Sequence, residues 1–169
     1  MDRVRATTTE ASGLVGIYLN DQLALGIGWR ELARRAQRNN TGTPLGDALE
    51  GVAEGIAEDV ETFERIMAAV GVARSPVKAP LAIAGERVSR LKLNGRLTTY
   101  SPLSRFLELD VLTMGIDGKV QLWTTLRDVA GLGARLPEVD FDHLIARARS
   151  QREALEPFRV QAGHEAFGV

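Results

Sequence analysis

The chain holds two histidines, His143 and His164, and no cysteine, so its chemistry must come from carboxylates, imidazoles, hydroxyls and amines. Lack of cysteine removes disulfides, thiolate metal sites and thiol nucleophiles together. Ser101 and Ser104 with a distant His143 do not have the pattern of a catalytic triad and read first as helix caps. Gly26-x-Gly28 and Gly131-x-Gly133 follow no strand, so neither is a nucleotide loop. What remains is a group of acidic residues at or beside apolar stripes: Asp21, Glu31, Asp59 and Glu108. If they converge, an all-oxygen site suits a hard divalent cation such as Mg²⁺, Mn²⁺ or Ca²⁺. Alternatively Lys119, Arg152, Tyr18 or Gln151 satisfies them in place of metal, since unpaired buried charge costs several kcal/mol.

The elements that position these side chains are helices. The first runs from about Leu14 to Arg38 and ends at the polar cluster Asn39-Asn40-Thr41-Gly42. Thr43-Pro44 then supplies an N-cap hydroxyl before a proline at the first helical position, and the second helix stops at Gly71. Ser75-Pro76 and Ser101-Pro102 repeat the start signal, giving a short helix near Val77 to Leu93 and a long one from Pro102 to about Val129. The last begins near Asp140 or Asp142 and runs towards Phe167, with Pro157 expected to kink it. Short loops make the first two long helices, and the last two, antiparallel neighbours. The long connection from Val72 to Ser101 lets the second and fourth segments run parallel.

Helical phase assigns faces. In the second helix Leu45, Leu49, Val52, Ile56, Val60, Phe63 and Met67 form the buried stripe, and Glu54, Glu58 and Glu61 lie opposite. Leu109, Leu112, Ile116, Val120 and Trp123 form the next, flanked by Glu108 and Lys119. The last helix presents Leu144, Ala148, Leu155, Phe158, Ala162 and Ala166, with Gln151 and Arg152 nearby. On the first helix Leu14, Tyr18, Leu25 and Leu32 are expected inward, while Val15, Leu19 and Trp29 remain on a second side for a partner chain.

At 169 residues, 44% of them hydrophobic and only 5% aromatic, the expectation is one all-α domain over residues 14–169, after a flexible N-terminal segment 1–13. A formal net charge of −1 gives no sign of a nucleic-acid partner. No apolar run approaches the roughly 20 residues of a membrane span, and no secretory leader is seen, so a cytoplasmic protein is expected.

Two stretches carry a family resemblance: Glu58-Asp59-Val60-Glu61-Thr62-Phe63-Glu64-Arg65-Ile66-Met67-Ala68-Ala69-Val70-Gly71, and Leu91-Lys92-Leu93-Asn94-Gly95-Arg96-Leu97 with Tyr100-Ser101-Pro102-Leu103-Ser104-Arg105. On these the chain resembles the small bacterial stress-associated branch of the ferritin-like superfamily. The resemblance implies a four-helix bundle with a long crossover containing a short extra helix. It also implies a di-metal centre built from a Glu on each of two helices and a Glu-x-x-His pair on each of the other two. Laid over the family's second helix, Ile56 falls at the Glu position and Asp59 at the His position, and neither histidine has a Glu three residues before it. The di-metal motif is thus degenerate, and no metal or other cofactor is expected. The expected function is non-catalytic, through self-association as a homodimer or through partner binding. The alternatives are a metal-binding or di-iron oxidoreductase using the remnant carboxylates, and a small-molecule binder in the vacated core.

Overall fold

The computed structural model describes residues 2–75 and 100–168, with side chains from Gly13 onward. Among the described residues the protein is helical and contains no strand. Its helices are α1 (Asp2–Asn39), α2 (Pro44–Ala69), α3 (Pro102–Thr124, continued by a π-helical turn Thr125–Val129), the single-turn α4 (Leu132–Arg135) and α5 (Phe141–Phe167). The expected helix Val77 to Leu93 and the Leu91–Leu97 block lie outside the described residues.

Punctuation acts as the residue types dictate. The Thr43 and Ser101 hydroxyls accept from the backbone N–H groups of Gly46 and Ser104, each before a proline that has no N–H to satisfy. Asp140 caps α5 through the His143 N–H, and Gly71, Gly131 and Gly168 take the left-handed conformation that ends helices. Helix α5 continues through Pro157, whose side of the helix is exposed.

The constant separation of 60 residues in the pairs Asp59–Lys119 and Phe63–Trp123 means that α2 and α3 run in the same direction. Arg35 meets Glu108 while Trp29 meets Gly115, so α1 runs against α3. Arg105 meets Glu165 while Arg152 meets Asp117, so α5 also runs against α3. The end of α2 and the start of α3 therefore stand at opposite ends of the fold.

The interior has two apolar clusters. One gathers Leu32, Leu49, Ile56, Leu112, Ala148 and Leu155, and the other Leu19, Leu23, Val60, Phe63, Trp123 and Leu144. Burying side chains as completely as Leu49 and Leu112 is worth about 1.5–3 kcal/mol each. Every residue of the α2 stripe expected inward is buried.

Helix α1 departs from expectation twice. Its helical backbone begins at Asp2, not near Leu14. That stretch has no proline and a single glycine, Gly13, so nothing in it breaks a helix even though it carries no apolar periodicity. Its inward face is also different: Leu19, Leu23, Ala24, Leu32, Ala33 and Ala36 are buried, whereas Leu14 is 65% and Leu25 39% exposed. Apolar residues surround much of α1, so period alone cannot select a face. Packing against α2 does so by turning small residues inward, with Gly26 only 3.5 Å from Val60 if given a Cβ.

Candidate functional site

An ionic centre separates the two apolar clusters. Asp59, 4% exposed, sits on α2 between Ile56 of one cluster and Val60 of the other. Lys119 Nζ on α3 donates to Asp59 Oδ2 at 2.5 Å and to Gln151 Oε1 on α5 at 2.5 Å. Arg147, also on α5, donates to Asp59 Oδ1 and, through its other terminal nitrogen, to Glu58 Oε2. Both oxygens of the buried carboxylate are thus held by cations from two helices. Burial pushes the Lys119 ammonium below its ordinary pKa, overcoming the Asp59 carboxylate that favours its charged form.

Of the four partners expected for the acidic residues, Lys119 pairs with Asp59, and Gln151 joins the centre by accepting from Lys119. Arg147 is the one that phase overlooks, although it stands one turn before Gln151 on the same side of α5. Of the other two expected partners, Arg152 pairs with Asp117 and Glu156, and Tyr18 lines the cavity described below.

Glu108 belongs to a separate cluster near the α1–α2 turn. Arg35 donates to it from Nε at 2.8 Å, and Asn39 reaches it at 3.5 Å. Asn40 bonds the Tyr100 hydroxyl at 3.1 Å, and burial raises the Tyr100 pKa. Lys119 lies eleven residues after Glu108, so the two polar centres are about 16 Å apart along α3 at about 1.5 Å per residue. Asp21 is exposed, and Glu31 is exposed beside Arg30 and Arg34. The four acidic residues that sequence brings into consideration together do not converge: two face solvent and two occupy distant ion pairs.

This arrangement does not fit a di-metal centre. The two buried carboxylates, Asp59 and Glu108, stand far apart and are each paired with cations, Ile56 beside Asp59 is apolar, and both histidines are exposed. Among the described residues no group of three or more His, Asp or Glu side chains could hold a metal ion.

A cavity of about 400 Å³ opens beside the ionic centre, between α1 and α3, with α2 behind it. Its lining is mostly apolar, including Leu23, Phe63 and Leu112, and it reaches Asp59 and Lys119. Gly26 on α1, and Gly115 and Gly118 on α3, line it; Trp29 occupies the space beside Gly115, whereas a Cβ on Gly118 would meet nothing within 4 Å. Trp123 lines it too, one turn beyond Lys119, just before the π-helical turn. This indole is 1% exposed and packs against Phe63 and Phe141 at centroid distances of 5.9 and 6.4 Å. Three buried donors lack a partner among the described residues, Arg105 Nε, Arg147 Nε and Trp123 Nε1, and only Trp123 belongs to a residue lining this cavity.

Helical phase reads Trp123 as core, and in part it is. The cavity itself leaves no mark in any helix alone, because its lining comes from α1, α2 and α3 together. No protein-family model, no curated protein and no solved structure matches the chain.

Proposed function

We propose that this protein is a non-catalytic helical bundle of the ferritin-like type, in which an ion-pair centre stands where such bundles hold metal, and that it binds a small molecule in the cavity between α1 and α3. The shared direction of α2 and α3 supports the ferritin-like crossover, because it requires the chain to return between opposite ends of the fold. The observation that carries ligand binding is the cavity itself: about 400 Å³, within the range of small-molecule sites, and largely apolar. Titration of the purified protein with decanol, followed by tryptophan fluorescence, tests it. Saturable binding that Gly118→Leu abolishes is expected, since the new side chain would grow into the cavity. Decanol binding equally well to Gly118→Leu would refute it.

A divalent-metal or di-iron role is the weaker alternative, for the donor set described above does not suit it. Elemental analysis of untagged protein should find no stoichiometric iron; about two iron atoms per chain would reverse the choice.

Self-association is a second reading, favoured by the outer side of α1, where Leu14, Val15, Ile17 and Leu25 are exposed together. A second copy of the chain, paired about a twofold axis, is the simplest occupant of that side. A cytoplasmic, stress-related setting belongs to the same proposal. Among the described residues no helix is long and apolar enough to cross a membrane.

A further inference from the structure

We infer that Met114, at the mouth of the cavity between α1 and α3, is an oxidation site where a hydroperoxide makes methionine sulfoxide and so weakens binding of an apolar ligand. The inference rests on the ligand-binding reading above and adds its regulation.

Placement comes first. Met114 on α3 lines the cavity and is 57% exposed, and a residue that does both stands at the mouth. On the α1 side Leu25 does the same, being 39% exposed. The deeper lining is buried and apolar, with Leu23, Phe63 and Leu112. A ligand coming from solvent therefore meets Met114 before it reaches the interior.

Reactivity comes second. The chain has no cysteine and three methionines, Met1, Met67 and Met114, so thioethers are its only sulfur. Met67 is 2% exposed and belongs to the apolar cluster of Val60 and Phe63. Of these two, Met114 is the one that a dissolved peroxide reaches. A sulfur lone pair attacks one peroxide oxygen, forming the S–O bond as the O–O bond breaks. Sulfur loses two electrons, and the proton of the attacked oxygen passes to the departing one. Hydrogen peroxide leaves as water, or an organic hydroperoxide as its alcohol.

The third link is what the new oxygen does. A thioether is flexible and apolar, and suits contact with an alkyl or aromatic body. A sulfoxide is polar, and its oxygen must shed water to stay against such a body. The ligand is then held less tightly. Because Met114 is largely exposed, the change leaves the two apolar clusters intact, and methionine sulfoxide reductases can reverse it.

The test treats the whole chain with hydrogen peroxide, maps the added oxygen by mass spectrometry, and measures decanol binding by calorimetry. Tryptic peptide 106–119 carries Met114 and peptide 66–74 carries Met67. Peptide 106–119 should gain one oxygen well before 66–74, and decanol affinity should fall about fivefold or more, as when a polar group replaces an apolar one in a contact. Sulfoxide reductase treatment should restore it. Met114→Leu should bind decanol with the same affinity before and after peroxide. Oxidation of 66–74 as fast as 106–119, decanol binding unchanged by oxidation at Met114, or an equal loss in Met114→Leu overturns the inference and leaves the ligand-binding reading standing. Failure of the untreated wild type to bind decanol overturns the two together.

Discussion

The indole of Trp29 lies where a side chain on Gly115 would have to be: a Cβ built there stands 2.6 Å from the ring. Trp29 is half-buried and packs on the apolar cluster of Leu112 and Ile116, so it cannot swing aside without losing those contacts. Gly115→Ala should therefore destabilise by about 1–3 kcal/mol, as overpacking does. Gly118→Ala, one turn on and with open space around its Cβ, should stabilise by about 0.5–1 kcal/mol through helix propensity. Urea unfolding of the two variants measures the contrast, and equal effects would show that α1 and α3 are not this close.

Removing Asp59 should be far costlier than removing any glutamate on the outer side of α2. Asp59→Ala leaves Lys119 and Arg147 without their shared carboxylate, and breaking a buried pair costs about 3–5 kcal/mol. Glu54→Ala and Glu61→Ala should stay within about 0.5 kcal/mol. Replacing Asp59, Lys119 and Arg147 together with apolar residues of similar volume should restore most of the loss, because desolvation of the charges disappears with them. A triple variant as unstable as Asp59→Ala would contradict this account.

The face that α1 turns inward changes what a charge on it should do. Leu19 is 1% exposed, so Leu19→Asp should unfold the protein at low denaturant and say nothing of association. Ile17, 62% exposed, is the position to alter. Ile17→Glu should leave stability nearly unchanged and reduce the molar mass from dimer to monomer in light scattering. A wild type that is monomeric at high micromolar concentration removes the dimer from consideration.

Stability at alkaline pH should carry the signature of Lys119. Its pKa in the folded state is below the ordinary 10.5, so between the lowered value and 10.5 the unfolded chain binds more protons than the folded one. Stability then rises with pH across that window, because the cost of burying the ammonium is relieved. The groups around it are Asp59 from α2 and Arg147 and Gln151 from α5. Urea unfolding of wild type and Lys119→Met across neutral to alkaline pH should show the wild type gaining on the variant within this window. A constant difference would mean that Lys119 titrates as a solvated lysine.

Helix α2 was legible from its residues alone. Thr43-Pro44 and Gly71 mark its ends chemically, and its acidic side leaves only one stripe that can face inward. The same logic names Lys119 and Gln151 among the candidate partners of the acidic residues, since each borders an apolar stripe, but it does not say that Asp59 is the one they serve. Arg147 escaped it, because a long side chain reaches the core from the flank of a helix. Helix α1 was undecided in phase, being apolar on several sides, and only its contact with α2 chose Leu19 and Leu23 over Leu14 and Leu25. Whether Asp59 and Glu108 meet depends on the register between helices, which no single helix encodes, and that register sets them about 16 Å apart. The cavity belongs wholly to tertiary structure: its lining residues, among them Leu23, Phe63, Leu112 and Gly118, come from three helices and enclose a space only where α1, α2 and α3 pack together.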